Sequence, residues 1–404
     1  MKKIFCLILL LLLCGCTQKN GPLFENQEEL KIIVASDLHY YPKSYYENYP
    51  SYQQLFFNGD GQMVHVSNQI INNFVSEIIL QEPNLVLLSG DLTYNGEKLG
   101  HQELAKVLQS LRDHDIEVAV INGNHDVNNR IAGSFDETGY HVVDSVTADE
   151  FKEIYHDFGY ANATSLDSDS LSYRLNLNEH YDLLMIDSCD MDRYRLESGI
   201  SESTMSWMEE QLKDITTNNK EALVVMHHNL GIHCELLYKG YVLENHEEVA
   251  NLFNEYHVPL VFSGHTHVQH SMDVNGTYEI TSGALIVAPV QYGVLSLSPE
   301  KIDYHTQEVE SVEGDDDFFL AASYSRFLSQ LASTLDETTA QQAAVYLANI
   351  NKDYFAGCIS ETAETYKNDP MYTYLISQKE EFEFLVQYME LMLNETQNHQ
   401  SYSR

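Results

Sequence analysis

The sequence predicts an α/β protein with a helical C-terminal unit, and three observations support this fold class. Five short runs of apolar residues, rich in leucine and β-branched side chains, are typical of buried parallel strands. Segments with a helical period connect several of these runs, as expected for right-handed βαβ units. After the last run and a few short strands, the period becomes helical up to the C-terminus. The five runs are residues 30–35, 84–89, 116–121, 222–226 and 258–262.

The segments between the runs predict helices that cross from one strand to the next. Apolar residues between Ile70 and Ile79 recur at helical spacing, and Pro83 ends this pattern because proline cannot continue a helix. This helix is the crossover from the first run to the second. The other elements predicted in this part are a strand at 181–186 and helices at 101–112, 203–214 and 244–256.

Three stretches carry weaker signals. The tyrosine-rich stretch 40–52 predicts a long loop over the strand ends, whose rings either stack on a nucleobase or pack within the loop. Residues 127–180 predict an irregular insertion with one helical piece and no indicated role. After residue 267, Asn275-Gly276 and Ser282-Gly283 predict antiparallel hairpins that close a second sheet.

The C-terminal part predicts a separate helical unit. An acidic break at 314–317 precedes three helical segments, at 318–335, 338–350 and 372–394. The last segment carries an apolar stripe that predicts core packing. The predicted division of the chain is 1–16 signal peptide with lipobox, 17–28 tether, 29–313 α/β domain and 314–404 α-helical C-terminal domain.

The N-terminus predicts export and a lipid anchor. Two lysines precede an apolar stretch at 4–13, which is too short to span a bilayer. The stretch ends in Leu13-Cys14-Gly15-Cys16, which resembles a bacterial lipobox, so cleavage before Cys16 and lipidation of that cysteine are expected. An ordinary secretory signal is the alternative. The predicted location is the outer face of the bacterial cytoplasmic membrane.

Net charge and cysteine content restrict the classes of binding partner and the number of disulfides expected. The 404 residues carry a formal net charge of −39 with only 22 Lys and Arg, which disfavours binding to polymeric nucleic acid. A phosphate-bearing substrate should therefore be small. Beyond the cysteine expected to be lipidated, only Cys189, Cys234 and Cys358 remain after the predicted cleavage, so at most one disulfide is expected. We expect a monomer.

Polar residues follow all five strand-like runs. Ligands of open α/β sheets collect beyond the carboxyl ends of the strands, so these residues should converge. Oxygen and imidazole donors without thiolate suit Mn, Fe, Zn or a mixed pair of ions. The sequence therefore predicts a metal site. The stretches are Asp37-Leu38-His39, Gly90-Asp91, Gly123-Asn124-His125-Asp126, His227-His228 and Gly264-His265-Thr266-His267.

Taken together and in this order, the five stretches resemble the signature of the calcineurin-like metallophosphoesterases, over residues 30–297. The resemblance implies a four-layer α/β/β/α sandwich of two packed sheets. It also implies that Asp91 bridges two metal ions. One ion would take Asp37, His39 and His267, and the other Asn124, His227 and His265. A hydroxide shared by both ions would attack the phosphorus atom.

The resemblance also implies roles for three neighbouring residues. His125 would help to protonate the leaving group, and Asp126 would hold its ring. For His125, a purely structural role is the alternative. His228 would either contact substrate or pack behind the site. The other histidines singled out, His101, His141 and His233, have no supporting pattern and are expected at the surface or in loops.

Two departures from the family pattern concern the surroundings of the ligands. Tyr94 stands where many relatives have Asp or Asn, with Asn95 following, and Asn229 stands where many have Pro. Neither departure removes a predicted ligand. Both leave the substrate preference open.

The predicted function is dinuclear metal-dependent hydrolysis of small phosphate diesters. The stretch from Gly90 to Thr93, with Gly96-Glu97 after it, resembles the class III cyclic-nucleotide phosphodiesterases, so cyclic nucleotides are the expected substrates. The nearer alternative is a phosphomonoesterase such as a 5′-nucleotidase. The second alternative is a lipoprotein that binds a phosphorylated ligand through its metals without catalysis.

Overall fold

A computed structural model of the chain describes residues 21–49, 51–53, 61–190, 195–196, 198–310 and 315–404. The candidate lipidation site Cys16, with its signal segment, lies outside the described residues. Among the helices of the described chain, none combines the length and apolar character needed to cross a membrane. Cys189, Cys234 and Cys358 are all free.

Fifteen strands are described. They are β1 (Leu30–Ala35), β2 (Leu85–Ser89), β3 (Glu117–Ile121), β4 (Gly133–Asp136), β5 (Gly139–Val142), β6 (Ser165–Leu166), β7 (Tyr173–Asn176), β8 (Tyr181–Ile186), β9 (Glu221–Met226), β10 (Leu260–Ser263), β11 (His270–Val274), β12 (Thr277–Thr281), β13 (Gln291–Ser298), β14 (Lys301–Glu308) and β15 (Ser401–Ser403).

The described helices longer than one turn of 3₁₀ geometry are α1 (Ser67–Gln81), α2 (Lys98–Arg112), α3 (Ala148–Ile154), α4 (Glu202–Thr217), α5 (His246–Glu255), α6 (Asp315–Leu331), α7 (Glu337–Phe355), α8 (Ile359–Lys367), α9 (Pro370–Ser377) and α10 (Glu383–Leu393).

Thirteen of the fifteen strands form two large sheets, which confirms the predicted architecture, and β4 and β5 pair only with each other. The first has the order β15-β14-β13-β1-β2-β3, and β1, β2 and β3 are parallel. The second has the order β11-β12-β10-β9-β8-β7-β6, and β8, β9 and β10 are parallel. The five predicted runs are thus all strands, three in one sheet and two in the other.

Alternate residues of the second sheet serve two different cores. Leu183 and Met185 pack in the core shared with the first sheet. Leu184 and Ile186 pack with the apolar faces of α4 and α5. This is the period of two expected where both faces of a strand are buried. With α1 and α2 packed in the first core, the result is a four-layer α/β/β/α sandwich.

The hairpin predicted at Ser282-Gly283 is wrong. Asn275-Gly276 does connect β11 and β12, and both residues have the positive φ that a type I′ turn requires. After Thr281, however, the chain leaves the second sheet and returns as β13, antiparallel to β1 in the first sheet. Sheet membership depends on distant partners, which the local turn sequence does not encode.

The C-terminal helices differ from the predicted segments in two places. The segment predicted at 372–394 is divided into α9 and α10, and α8 was missed. The side chain of Asp369 caps α9, whose first position is Pro370, a residue suited to starting a helix. The predicted stripe is Leu385, Tyr388, Met389 and Met392. Leu385, Met389 and Met392 are buried in the core of this unit, as predicted, whereas Tyr388 is only partly buried.

The chain ends in a strand rather than in a helix. β15 pairs with β14, with Ser403 opposite Asp303, so the last residues belong to the first sheet. The division of the chain at 313/314 stays a prediction. The polypeptide that follows α10 nevertheless ties the helical unit to the sandwich.

Candidate metal centre

All seven predicted metal ligands lie just beyond the carboxyl ends of five strands. Asp37 and His39 follow β1, Asp91 follows β2 and Asn124 follows β3. The other three, His227, His265 and His267, follow β9 and β10. The two sheets present these ends on the same side, so the structure brings the seven side chains together.

The first group of donor atoms consists of Asp37, His39 and His267. The Nε2 atoms of the two histidines are 3.3 Å apart. Asp37 Oδ1 is 3.4 Å from His267 Nε2 and 3.9 Å from His39 Nε2. Three donor atoms within reach of one point can hold a single ion.

The second group consists of Asn124, His227 and His265, with Asp91 beside them. His227 Nε2 is 3.0 Å from Asn124 Oδ1 and 3.3 Å from Asp91 Oδ2. The rings of His227 and His265 lie 4.8 Å apart between centroids. Ligand atoms of Asp91, His227 and His265 also lie close enough to one another to hold one ion.

Asp91 lies between the two groups. Its Oδ2 is 3.8 Å from His39 Nε2 on one side and 3.3 Å from His227 Nε2 on the other. Its Oδ1 accepts a hydrogen bond from the backbone N–H of His125. A carboxylate in this position can contact two ions at once, which is the bridging arrangement expected from the sequence.

Backbone carbonyls fix the histidine tautomers in the second group. His227 Nδ1 lies 2.9 Å from the Ser89 carbonyl, so it carries the proton and Nε2 faces the donor group. His265 Nε2 lies 2.9 Å from the Gly240 carbonyl, so its Nδ1 is the nitrogen that can bind metal. The ring orientations are therefore set before any ion binds.

Glycines let the ligand loops approach one another. A Cβ at Gly264 would overlap Ser36 and lie 2.6 Å from Asp37 Oδ2. A Cβ at Gly123 would overlap the backbone and carboxylate of Asp91. A side chain at either position would separate the loops that carry the ligands.

The residues present fit a pair of cations. Asp37 is fully buried, yet its Oδ1 has no hydrogen-bond partner and faces two imidazole nitrogens. A buried carboxylate oxygen without a partner carries a large free-energy cost unless a cation lies beside it. The carboxylate, carboxamide and imidazole donors suit Mn, Fe or Zn, and the structure does not distinguish among them.

The two buried carboxylates of the centre are held in the ionised form. Burial acts to raise the pKa of Asp91, but His227 and His125 hold that pKa well below its ordinary value. Burial likewise acts to raise the pKa of Asp37, but His267 lowers it below the ordinary value. Negative charge is therefore concentrated where the ions would bind.

The pKa values of three buried imidazoles are shifted in different directions. Burial lowers the pKa of His39, to about 3, and it holds the pKa of His265 well below its ordinary value. For His227 burial also acts to lower the pKa, but the nearby Asp91 carboxylate outweighs it and raises the pKa to about 9. A metal ion that binds His227 must therefore displace a proton.

His125 borders the centre, but Asp126 does not hold its ring, so that predicted role is wrong. His125 Nδ1 instead lies 2.8 Å from the Tyr94 carbonyl and 3.0 Å from Asn95 Oδ1. Because both partners are acceptors, Nδ1 carries the proton and Nε2 lies on the side of Asp91, at 3.9 Å from Oδ2.

Asp126 holds the loops rather than the catalytic ring. Its carboxylate accepts hydrogen bonds from the backbone N–H groups of Leu92, Thr93 and Gly123. Burial and the charge of Asp91 raise the pKa of Asp126, to about 7, while these three N–H donors act in the opposite direction. The residue joins the loop after β2 to the loop after β3.

His228 lies behind the site. It is fully buried, with Nδ1 3.0 Å from Ser188 Oγ and Nε2 3.0 Å from the Leu196 carbonyl. Its ring packs against His265, at 4.4 Å between centroids. This placement favours the packing alternative over contact with substrate.

Asn229 stands where many relatives have proline, and its side chain links two loops by hydrogen bonds. Its Nδ2 lies within hydrogen-bonding distance of Ser263 Oγ, the Gly264 carbonyl and Thr281 Oγ1. The loop that carries His227 is thereby tied to the loop that carries His265.

Of the three histidines expected at the surface or in loops, His101 is the exception, whereas His233 lies in a loop as expected. His101 is fully buried on α2 and contacts Tyr155 Oη and Thr93 Oγ1. His233 pairs with the buried Glu279, at 3.0 Å. His141 is exposed, as expected.

Several residues of the centre carried no signal in the sequence. Gln62 lies 3.4 Å from His267 Nδ1 and borders the cavity above the ions. Asn129, in the insertion, donates to the His125 carbonyl and lies 3.5 Å from Asn95 Oδ1. Only Asn95 was foreseeable, because it stands one residue after the position where many relatives have Asp or Asn.

A second cluster of histidine and glutamate joins the helical unit to the sandwich. His270 Nε2 and His399 Nε2 lie 3.3 and 3.5 Å from the carboxylate of Glu395. His399 Nδ1, however, accepts a hydrogen bond from the Ser271 N–H. A neutral His399 therefore keeps its proton on Nε2 and cannot offer that nitrogen to a metal. The cluster is a hydrogen-bonded clamp.

Three rings of the tyrosine-rich stretch are buried in packing contacts. Tyr41 is fully buried, stacks on Tyr46 and donates a hydrogen bond to the Gly133 carbonyl. Tyr40 and Tyr46 are also buried. These contacts favour the packing alternative for these three rings.

A cavity of about 420 Å³ opens above the centre. Its floor is formed by Asp91, His125, His265 and His267. Its far wall is formed by side chains of α6, α7 and α10 in the helical unit. The cavity thus lies between these helices and the loops of the sandwich that carry the candidate ligands.

The fold and the two adjoining donor groups define a metal-dependent hydrolase. A profile described as calcineurin-like phosphoesterase matches residues 30–269, which is more than half of the 404 residues. The chain therefore belongs to the calcineurin-like phosphoesterase family and is a phosphoester hydrolase, as the sequence motifs predicted.

One of two similar solved structures agrees with this assignment at the level of the fold, the dimetal phosphatase. A dimetal phosphatase from Danio rerio is 12% identical, with 69% of this chain and 96% of that chain covered, at a TM-score of 0.50. A purple acid phosphatase from yellow lupin seeds is 13% identical, with 72% and 53% covered, at a TM-score of 0.45. No curated protein matches the chain.

Proposed function

We propose that the protein is a dinuclear metal-dependent phosphodiesterase that hydrolyses small phosphate diesters, with cyclic nucleotides as the expected substrates. Asp37, His39 and His267 would hold one ion, Asn124, His227 and His265 the other, and Asp91 would contact both. Bound in this way, the ions supply Lewis acidity to the phosphoryl group and lower the pKa of a water nucleophile.

His125 is suited to protonating the leaving alkoxide. Its Nδ1–H is held by the Tyr94 carbonyl and the Asn95 carboxamide, so the ring cannot rotate without breaking both contacts. Nε2 is thereby kept on the cavity side, near Asp91. A proton on Nε2 can pass to an oxygen that leaves the phosphorus atom.

The charge and polarity of the cavity lining support the proposed preference for diesters. Arg326 is the one lysine or arginine among the described residues that line it. The other lining side chains beyond the ions are mainly aromatic, aliphatic or uncharged polar groups. A diester carries a single negative charge and two organic groups, whereas a monoester carries up to two charges and one organic group. The cavity therefore favours the diester.

Comparing turnover of bis-p-nitrophenyl phosphate with that of p-nitrophenyl phosphate tests this proposal. The purified protein should first be stripped of metal and then loaded with Mn, Fe or Zn in separate samples. We expect the diester to have the higher kcat/KM with at least one metal. A marked preference for the monoester under every loading would contradict the proposal.

We also propose that the enzyme acts outside the cytoplasmic membrane, attached through lipid on Cys16. This proposal depends on the lipobox-like residues 13–16 alone. Replacing Cys16 by Ala should move the protein from the membrane fraction to the medium, whereas Cys14→Ala should leave it attached. Unchanged membrane retention of the Cys16→Ala variant would exclude lipid anchoring at this residue.

A further inference from the structure

We infer that the C-terminal helices form a recognition wall for the organic part of the substrate, and that this part is a planar aromatic group such as a nucleobase. This inference deepens the proposed function, since it concerns the substrate of the same site. The recognition wall is defined by Ser323 and Arg326 of α6, Asn351 and Tyr354 of α7, and Phe384 and Tyr388 of α10.

The size of the cavity exceeds what a phosphate group alone requires. Its volume of about 420 Å³ lies within the range of roughly 300–1,000 Å³ that is typical of pockets for whole organic ligands. Candidate ligands lie at one end of the cavity, where ions would be held, and the recognition wall lies at the other. An ester bound with its phosphorus at the ions would place its organic group against the wall.

A hydrogen-bonded relay fixes the wall across three helices. Tyr388 Oη donates to Asn351 Oδ1 at 3.2 Å, and Asn351 Nδ2 donates to Ser323 Oγ at 3.0 Å. The three residues belong to α10, α7 and α6 and all line the cavity. Polar side chains inside a helical bundle are costly to bury, so a satisfied relay that lines a cavity indicates a surface shaped for a ligand.

Aromatic rings dominate the remaining surface of the wall. Tyr354 is buried beside Tyr388, with their rings edge to face. Phe384 is 52% exposed, although most large apolar side chains of this unit are buried. Flat π surfaces attract nucleobases by stacking and do so for any base. The wall therefore fits a planar aromatic group better than a sugar or an alkyl chain.

The opposite side of the cavity adds one more ring. Tyr241 packs beside the candidate ligand His265, at 5.2 Å between ring centroids. Cys234 of the same loop and Tyr354 of the recognition wall both line the cavity. The loop and the recognition wall thus form two sides of one cavity beside the donor groups. Arg326 supplies a positive charge at the wall, in a protein whose formal net charge is −39.

Two diesters with the same leaving group test the inference in the full-length, metal-loaded enzyme. One is the p-nitrophenyl ester of thymidine 5′-phosphate and the other is methyl p-nitrophenyl phosphate. We expect Tyr388→Ala to lower kcat/KM about tenfold more for the nucleoside ester than for the methyl ester, because only the former has a base to stack. Tyr388→Phe retains the ring and should keep most of the preference.

Tyr374→Ala is the matched control, since Tyr374 lies in the same helical unit but does not line the cavity. It should leave the ratio of the two kcat/KM values unchanged. Equal losses for both esters in Tyr388→Ala, or no loss for either, would overturn the inference.

A binding experiment separates this inference from the proposed diesterase activity. Calorimetry compares the affinities of thymidine 5′-monophosphate and methyl phosphate for the metal-loaded protein and for its Tyr388→Ala variant. If the enzyme hydrolyses only monoesters, the diesterase proposal fails. A nucleotide preference that Tyr388→Ala abolishes would still support the recognition wall. Equal affinities in the unaltered protein would overturn it, whatever the ester class.

Discussion

At the residue scale, the backbone of the ligand loops is unusual. Five of the seven candidate ligands have a positive φ although none is glycine, namely Asp37, His39, Asp91, His265 and His267. Each such residue costs on the order of 1 kcal/mol or more, so other contacts must hold it. Hydrogen bonds between the loops do so: the N–H groups of Asp37, His39 and His265 bond to the Gly90 carbonyl, the Asp91 carbonyl and Asp37 Oδ2.

The sequence was sufficient to predict which side chains converge, but not how the structure supports them. Asp and His after strand-like runs predicted the donor set. The atoms that orient the rings are mostly backbone carbonyls, such as those of Ser89, Gly240 and Tyr94. Every residue has a carbonyl, so its role at a particular position leaves no mark in the sequence. For that reason the contact between the Tyr94 carbonyl and the His125 ring was not predicted.

The role of His125 as a proton donor can be tested by changing the leaving group. Replacing His125 by Ala should lower kcat by about 10²–10⁴-fold for a diester with a poor alkoxide leaving group, because that oxygen must be protonated as it departs. The loss should be much smaller for bis-p-nitrophenyl phosphate, whose leaving group departs as a stable anion. Metal content, measured by elemental analysis, should not change. An equal loss for both substrates would contradict the role.

Asn95 should act through His125. Replacing Asn95 by Ala removes one of the two oxygens that hold His125 Nδ1, so we expect about a tenfold loss of kcat with the same dependence on the leaving group and little change in KM. Asp126→Asn is the comparison, because Asp126 binds backbone N–H groups of two loops. Its effect should appear in metal content and thermal stability. If Asn95→Ala lost activity equally for both leaving groups, Asn95 would be only structural.

At the element scale, strands encoded by a local run of residues were predictable, whereas strand pairings between distant segments were not. The five parallel strands are short apolar runs, and each was recognisable by itself. The placement of β13 and β15 in the first sheet was not recognisable. β13 pairs with β1, which is distant in the sequence, and β15 pairs with β14, from which the helical unit separates it in the sequence. The division between α9 and α10 was missed because the apolar period continues across it, through Leu375, Ile376, Phe382 and Leu385.

The contact between the β1 and β10 loops depends on Gly264. Replacing Gly264 by Ala would place Cβ against Ser36 and Asp37, which lie in the other sheet's ligand loop. We expect metal affinity to fall roughly tenfold or more, because Asp37 and His265 can no longer keep their relative positions. Isothermal titration with Mn or Zn measures this effect.

Gly283→Ala is the matched control for the Gly264 variant. Its Cβ would meet its nearest neighbour at 3.5 Å, an ordinary contact distance, and its φ is not positive. Metal affinity should therefore be retained. If both variants bound metal as tightly as the parent protein, close packing of these loops would not be required for the centre.

At the scale of the whole molecule, the helical unit is attached next to the ligand His267. Gln269 N donates to the Phe355 carbonyl, and its side chain donates to the His399 carbonyl. Gln291 likewise donates to the Ala356 carbonyl. The segment after His267 is thus enclosed by both units. Movement of the helices would reach the ligand loop as well as the recognition wall.

The clamp of His270, Glu395 and His399 makes this attachment sensitive to acid. Burial lowers the pKa of His270, to about 4, from an ordinary value of 6.5. The unfolded chain therefore takes up the proton at a higher pH than the folded chain does. Stability from this group is complete above pH 6.5 and is lost as the pH falls toward 4. The pKa of Glu395 is also lowered, mainly by hydrogen bonds from His270 and His399, and its contribution falls in the same direction.

Thermal unfolding at several pH values tests the clamp in protein freed of metal with a chelator, so that acid release of ions does not contribute. For His270 alone, lowering the pH from 7.5 to 5 should cost about 2 kcal/mol of unfolding free energy. His270→Gln keeps an amide near the position of Nε2 but does not titrate, so its Tm should depend less on pH over this range. His156→Gln, at an exposed histidine, should behave like the parent protein. A His270→Gln variant with the parent's full loss of Tm would place the acid sensitivity elsewhere.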